Sequence, residues 1–148
     1  MRRVVVTGLG AITPLGVGLR RTWNRLIAGD SGLISTKHLE PQDQWSELPS
    51  QVAGLVPQGS LSAGGWHASD WISKSEERTL AKFTQYAIAA TEEALEDAGW
   101  RPKDSSELEM TGVCMGSGIG NFEEVYNTSI TYENGVSYQK SLRAQHRY

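Results

Sequence analysis

RVVVTGLGAITPLG, residues 3–16, is the stretch that decides the fold. Its three consecutive β-branched residues, Val4 to Val6, run into a Gly-rich turn, the pattern of a strand buried on both faces inside a parallel sheet. A parallel partner requires a crossover, so a helix and a second apolar strand should follow. The chain supplies that order once. Thr7-Gly8-Leu9-Gly10 also invites comparison with the turn that cradles phosphates at a helix N-terminus. The spacing argues against this: the glycines fall at 8, 10 and 16, Pro14 interrupts them, and Asp30 sits in the AGDSG turn of residues 28–32, not at a strand end where it could hold a ribose. A tight strand-to-helix connection needing glycine dihedrals accounts for them.

Working outward, Leu19, Trp23, Leu26 and Ile27 recur at helical spacing between Val17 and Ala28, with Arg20, Arg21, Asn24 and Arg25 opposite, which predicts a short amphipathic helix closed by Gly29. The three arginines read as a solvated face. Residues 33–70 lack periodicity and carry Pro41, Pro49 and Pro57, so they form an irregular excursion in which only Gln51–Val56 is strand-like. Trp45, Trp66 and Trp71 are expected to pin this excursion by packing, and His38 and His67 to lie at its surface.

Ser73 and Glu76 make a capping box. Leu80, Phe83, Ala87, Ala90, Ala94 and Ala98 follow on one stripe up to Gly99, predicting a single long, well-buried helix. Its small residues Ala87, Ala89, Ala90 and Ala94 allow another element to approach closely. Lys74, Arg78 and Lys82 line the opposite side near its start, as solubilising charges or as a receptor for an acidic partner. After the polar turn Arg101–Glu109, Met110–Met115 supplies the second buried strand and Gly116–Asn121 a second Gly-rich turn. Phe122–Ile130 begins another helix, and periodicity fails beyond Gly135. The whole is an α/β crossover.

The 148 residues, 39% hydrophobic and 21% charged, suffice for one globular domain with a core. A formal net charge of −3 gives no electrostatic reason to bind nucleic acid or an anionic membrane. One cysteine, Cys114, permits no internal disulfide and no thiolate cluster. No apolar run approaches the roughly 20 residues of a membrane span, and strand-like sequence from Arg2 onward leaves no room for a targeting peptide. Cys114 sits mid-strand between Val113 and Met115 with no helix N-terminus or basic neighbour, so it is expected to be a buried, inert thiol. His146 falls in the aperiodic tail, and no nucleophile, base and orienting group can be assembled from these parts.

Three stretches in order, RRVVVTGLGAITPLG from Arg2 with the Trp23 helix and AGDSG turn, KFTQYAIAATEEALEDAGW from Lys82, and GVCMGSGIGNFEE from Gly112, resemble the β-ketoacyl-acyl carrier protein synthases, the elongating condensing enzymes of thiolase-like fold. The likeness covers the chain to about Lys140 and is nearest to the mitochondrial type, particularly the fungal forms. It implies an α/β, thiolase-like fold of which this is the N-terminal part: a parallel or mixed sheet flanked by helices. Residues 1–136 would be an incomplete synthase N-terminal domain, with 33–70 as its irregular excursion, and 137–148 a divergent tail. The implied reaction is a decarboxylative Claisen condensation, in which an acyl group on a cysteine is attacked by the carbanion from malonyl-carrier protein.

The resemblance further implies acyl carrier protein as partner, a homodimer in the complete enzyme, and no cofactor beyond the phosphopantetheine that carries the substrates. Mitochondrial location follows from the same likeness, with the cytoplasm as the other expectation. In the family the reactive cysteine heads a buried helix and two histidines act with it, all in segments downstream of these. Cys114 matches an ordinary strand position, so no catalytic residue is carried over. Lys74 and Arg78 stand at basic positions of the family and are the candidate carrier-protein docking residues. Relatives usually follow the second of these with a basic residue, Met and Asp, whereas Thr79, Leu80 and Ala81 stand here. After Ser141 the family continues into a Pro- and aromatic-rich segment, but this chain runs into LRAQHRY, which suggests a truncated product or an altered gene model. Two other readings stay open: a non-catalytic module binding carrier protein or a complete synthase subunit, and a small dinucleotide-binding domain.

Overall fold

A computed structural model of the chain describes residues 3–39 and 45–133. Strands β1 (Ile12–Thr13) and β2 (Gly16–Val17) form a tight antiparallel hairpin that leads into helix α1 (Leu19–Ile27). Gly29, at φ +78°, lets the chain turn away from the end of α1. Strand β3 (Leu33–Ser35) pairs antiparallel with β4 (Val52–Gly54). Short 3-10 turns at Leu61–Ala63 and Ala68–Asp70 lead to α2 (Lys74–Thr79) and α3 (Lys82–Ala98), followed by α4 (Ser105–Glu109) and α5 (Phe122–Glu133).

The core gathers between α3 and the excursion. Val17, Trp66, Ala68, Ile72 and Ala89 are buried, with Ile12, Val56, Trp71, Tyr86 and Ile88 packed around them. Trp66 meets Tyr86 edge to face, ring centroids 4.7 Å apart, a geometry worth about 0.5–1.5 kcal/mol beyond the area it buries. Burial pushes the Tyr86 phenol above its ordinary pKa, partly offset by a hydrogen bond with Gln58. Trp66 and Trp71 thus anchor the excursion as expected, and β4 lies within the strand-like stretch.

Five expectations need correction. Leu33–Ser35 is a strand although only Gln51–Val56 was expected to be strand-like in the excursion, because β4 supplies its ladder. Val4–Val6 is not a strand: among the described residues nothing pairs with it, and Val4 is 98% exposed. Met110–Met115 is not a strand either. Met110 caps α4, and the chain from Thr111 to Ser117 has no regular structure. Both stretches carry β-forming side chains, but a strand forms only where a neighbour supplies the ladder. Cys114 therefore lies on the surface instead of in a core. Finally, the expected single helix from Ser73 to Gly99 is two, because Leu80 and Ala81 are extended, with ψ of 134° and 149°. Gln85, 3% exposed, stabilises the break by donating from Nε2 to the carbonyls of Glu77 (3.0 Å) and Leu80 (2.9 Å). These are carbonyls that a continuous helix would have bonded internally.

Candidate functional site

Helix α3 is the platform on which the functional parts are mounted. Its small-residue stripe receives the Gly8–Gly10 turn so closely that a Cβ on Gly10 would stand 1.9 Å from the Ala90 carbonyl oxygen, and one on Gly8 2.1 Å from that of Ala94. The glycines serve backbone-to-helix contact, and the first helix after them begins only at Leu19. This corrects the expected strand-to-helix turn needing glycine dihedrals, since neither Gly8 nor Gly10 has positive φ, and with no helix N-terminus at the turn to receive a phosphate it agrees with the spacing argument against dinucleotide binding. Two carboxylates of α3 lock the contact. Asp97 Oδ2 accepts from the Leu9 amide (3.0 Å), and Glu93 accepts from both Ala11 (Oε2, 2.9 Å) and Leu19 (Oε1, 2.7 Å). Helix α1 has no capping side chain of its own at Gly18, so Glu93 acts as its cap from across the fold. Sequence reasoning missed Glu93 and Asp97 because their spacing marks only a polar face, and their partners are backbone amides distant in sequence.

Lys74 and Arg78 both project from α2 into solvent, one turn apart. The Ser73–Glu76 capping box closes as expected: Glu76 N donates to Ser73 Oγ (3.3 Å), and Ser73 N and Oγ donate to Glu76 Oε2 (2.9 and 2.7 Å). These bonds hold the Glu76 carboxyl below its usual pKa. Arg78 stands in the last turn of α2, where the helix dipole favours a cation. Lys82 is exposed at the start of α3, beyond the break. The three cations therefore lie along one connection, though not on one helix.

On the other side of α3, Phe83, Ala87 and Ile88 face Val113, Met115 and Gly116 across an apolar groove of about 630 Å³. Cys114 lies in sequence between two of these groove residues, Val113 and Met115, and is exposed. Among the described residues no group of three or more His, Cys, Asp or Glu is placed to hold a metal, and no helix is long and apolar enough to cross a membrane. His67 is exposed and shares a 2.7 Å hydrogen bond with Ser69 Oγ. His146 lies outside the described residues.

The fold itself recurs in solved proteins. A beta-ketoacyl synthase from Burkholderia phymatum superposes with a TM-score of 0.66 at 28% identity, covering 91% of this chain and 31% of its own. In class the chain is thus the N-terminal part of a thiolase-like fold. Residues 1–145 match the family described as "Beta-ketoacyl synthase, N-terminal domain", and the chain belongs to that family. It is 42% identical over 143 residues to a Schizosaccharomyces pombe protein assigned as a mitochondrial 3-oxoacyl-[acyl-carrier-protein] synthase, covering 97% of this chain and 32% of that one. It is also 40% identical over 134 residues to the mitochondrial 3-oxoacyl-[acyl-carrier-protein] synthase of Arabidopsis thaliana, covering 84% and 28%. The chain thus spans about a third of the length of the curated relatives it matches.

Proposed function

We propose that this chain is the N-terminal part of a 3-oxoacyl-[acyl-carrier-protein] synthase, which extends an acyl thioester by decarboxylative Claisen condensation with malonyl-carrier protein in fatty-acid synthesis. The observation that carries this reading is the family match over residues 1–145, and the names of its relatives supply the reaction. Within the condensing unit these residues serve as scaffold. α3, with its glycine and carboxylate contacts, positions the flanking segments, and the nucleophilic cysteine and both histidines come from residues beyond these. The exposed thiol of Cys114, set in a segment without regular secondary structure, is not the acyl acceptor, and the 148-residue chain alone does not condense.

Lys74 and Arg78 receive the acidic surface of acyl carrier protein. Both are solvent-exposed and carry charge of the right sign. The names of the Schizosaccharomyces and Arabidopsis relatives favour mitochondria as the compartment. A chimaera tests the reading: this chain replaces the matching N-terminal third of the Schizosaccharomyces relative, and 3-oxoacyl product is measured by mass spectrometry. Product from the chimaera, with none from the isolated chain, is expected. A folded but inactive chimaera overturns the family function, and turnover by the isolated chain overturns the scaffold role. Reversing both charges (Lys74→Glu, Arg78→Glu) in the chimaera should weaken carrier-protein binding about tenfold or more, and unchanged affinity removes the docking assignment.

A second reading is favoured by the exposed apolar run Val4–Val6 and by Val113 and Met115. On it the chain is a non-catalytic module that docks on a complete synthase subunit through these stretches. Sequencing the transcript past the codon for Tyr148 separates the two. Continuation into a cysteine-bearing segment supports the first reading, and a stop codon there supports the second.

A further inference from the structure

The basic side of α1 plays no part in the scaffold just described. Arg20, Arg21, Asn24 and Arg25 stand at i, i+1, i+4 and i+5, which places them on one side of the helix. With Leu61 and Glu93 they line a cleft of about 470 Å³. Arg21 is seated there by the fold. Its side chain runs over two glycines, so that a Cβ on Gly64 would meet Arg21 Nε at 2.0 Å and Cζ at 2.2 Å, and one on Gly16 would meet Cδ at 2.7 Å. Both glycines hold positive φ, +78° and +138°, which resists any larger residue.

The charges of the cleft are unevenly satisfied. Arg25 is engaged, donating from Nε to Asp30 Oδ2 (2.8 Å) and from Nη1 to the Leu15 carbonyl (2.7 Å). Glu93 is the one carboxylate among the lining residues, and both its oxygens accept backbone amides, those of Ala11 and Leu19. Among the described residues, no ion pair or hydrogen bond takes up the guanidinium groups of Arg20 or Arg21. One guanidinium held over a glycine floor, a second beside it and a side-chain amide one turn on make a set of donors without an acceptor.

We propose that this cleft binds a phosphate group, free or as a monoester. The Arg21 fork is the principal contact, Arg20 the second charge, and the Asn24 amide a neutral donor. A planar fork offers paired N–H donors that match the oxygens of a phosphate. The site is independent of the condensing-enzyme reading and needs no residue beyond the described ones.

Equilibrium dialysis of the full 148-residue chain against labelled inorganic phosphate, at micromolar protein and constant ionic strength, tests it. Saturable binding is expected. Arg21→Gln and Arg20→Gln should each raise Kd about tenfold, while Arg101→Gln, outside the cleft, should leave it unchanged. The atoms nearest a Cβ on either glycine include none of Arg20, so Arg20→Gln decides the matter even if Arg21→Gln disturbs the Gly16–Gly64 floor, and circular dichroism reports whether it does. Competition by ethyl phosphate as strong as by inorganic phosphate assigns a monoester ligand, and competition about tenfold weaker assigns free phosphate. Non-saturable binding, or a Kd unaltered in Arg20→Gln, overturns the proposal.

Discussion

Gly10 and Glu93 show how single residues set the position of whole segments. A methyl group on Gly10 has nowhere to go, since its place is 1.9 Å from a helix carbonyl that cannot swing aside. Gly10→Ala should therefore cost about 1–3 kcal/mol, read as faster hydrogen exchange through residues 8–19. Gly112→Ala, where a Cβ meets open space, should leave exchange unaltered, and equal effects from the two would refute the close-approach account. Glu93→Gln keeps one acceptor and loses the other. A charge-assisted hydrogen bond is worth about 1.5–3 kcal/mol, so the amide of Ala11 or Leu19 should exchange about tenfold faster or more. The alanine stripe was legible because steric need leaves its mark in residue size, whereas the glycines pointed to a need for special dihedrals that neither Gly8 nor Gly10 adopts. Glu93 was not legible, because a carboxylate that bonds distant backbone amides looks in sequence like any solvated acid.

Helix α2 and its break from α3 carry the lesson at the scale of elements. The capping box was legible as a local pattern, Ser73 with Glu76 three residues on. The split at Leu80–Ala81 was not, since both residues suit a helix and the break depends on the buried amide of Gln85 reaching backward. Hydrogen bonds from Ser73 favour the charged form of Glu76 and lower its pKa. The cap's contribution is thus fully present above the ordinary glutamate value and is lost as pH falls through the lowered one. An acid titration followed by NMR should show the Ser73 and Glu76 amides shifting with a midpoint below the ordinary glutamate value, and Ser73→Ala should bring the Glu76 midpoint up toward that value. A midpoint at the ordinary value in the unsubstituted protein would remove the cap from solution. Gln85→Leu leaves the carbonyls of Glu77 and Leu80 without their donor, and amide exchange should quicken in α2 while the middle of α3 keeps its rate; equal change in both helices would refute this role.

For the whole molecule, what the sequence signalled and what the chain forms diverge at Val4–Val6 and Met110–Met115. Composition marked both stretches as interior strands, and among the described residues neither has a strand partner, because pairing is a property of neighbours and not of the residues that would pair. Val4, Val5, Val6, Val113 and Met115 all stand more than half exposed, and such edges are templates for association. The purified chain should self-associate as concentration rises, measured by sedimentation velocity, and Val5→Lys with Val113→Lys should suppress it. A sharp, reversible melt of a monomer would contradict this. Timing adds a constraint of another kind. The Glu93 carboxylate lies 74 residues past the Leu19 amide and 82 past that of Ala11, so on the ribosome the first helix emerges without its cap and waits for the third to arrive. Its early life is spent frayed, and whatever stalls synthesis between the two leaves a nascent chain whose leading segment has nothing to fasten to.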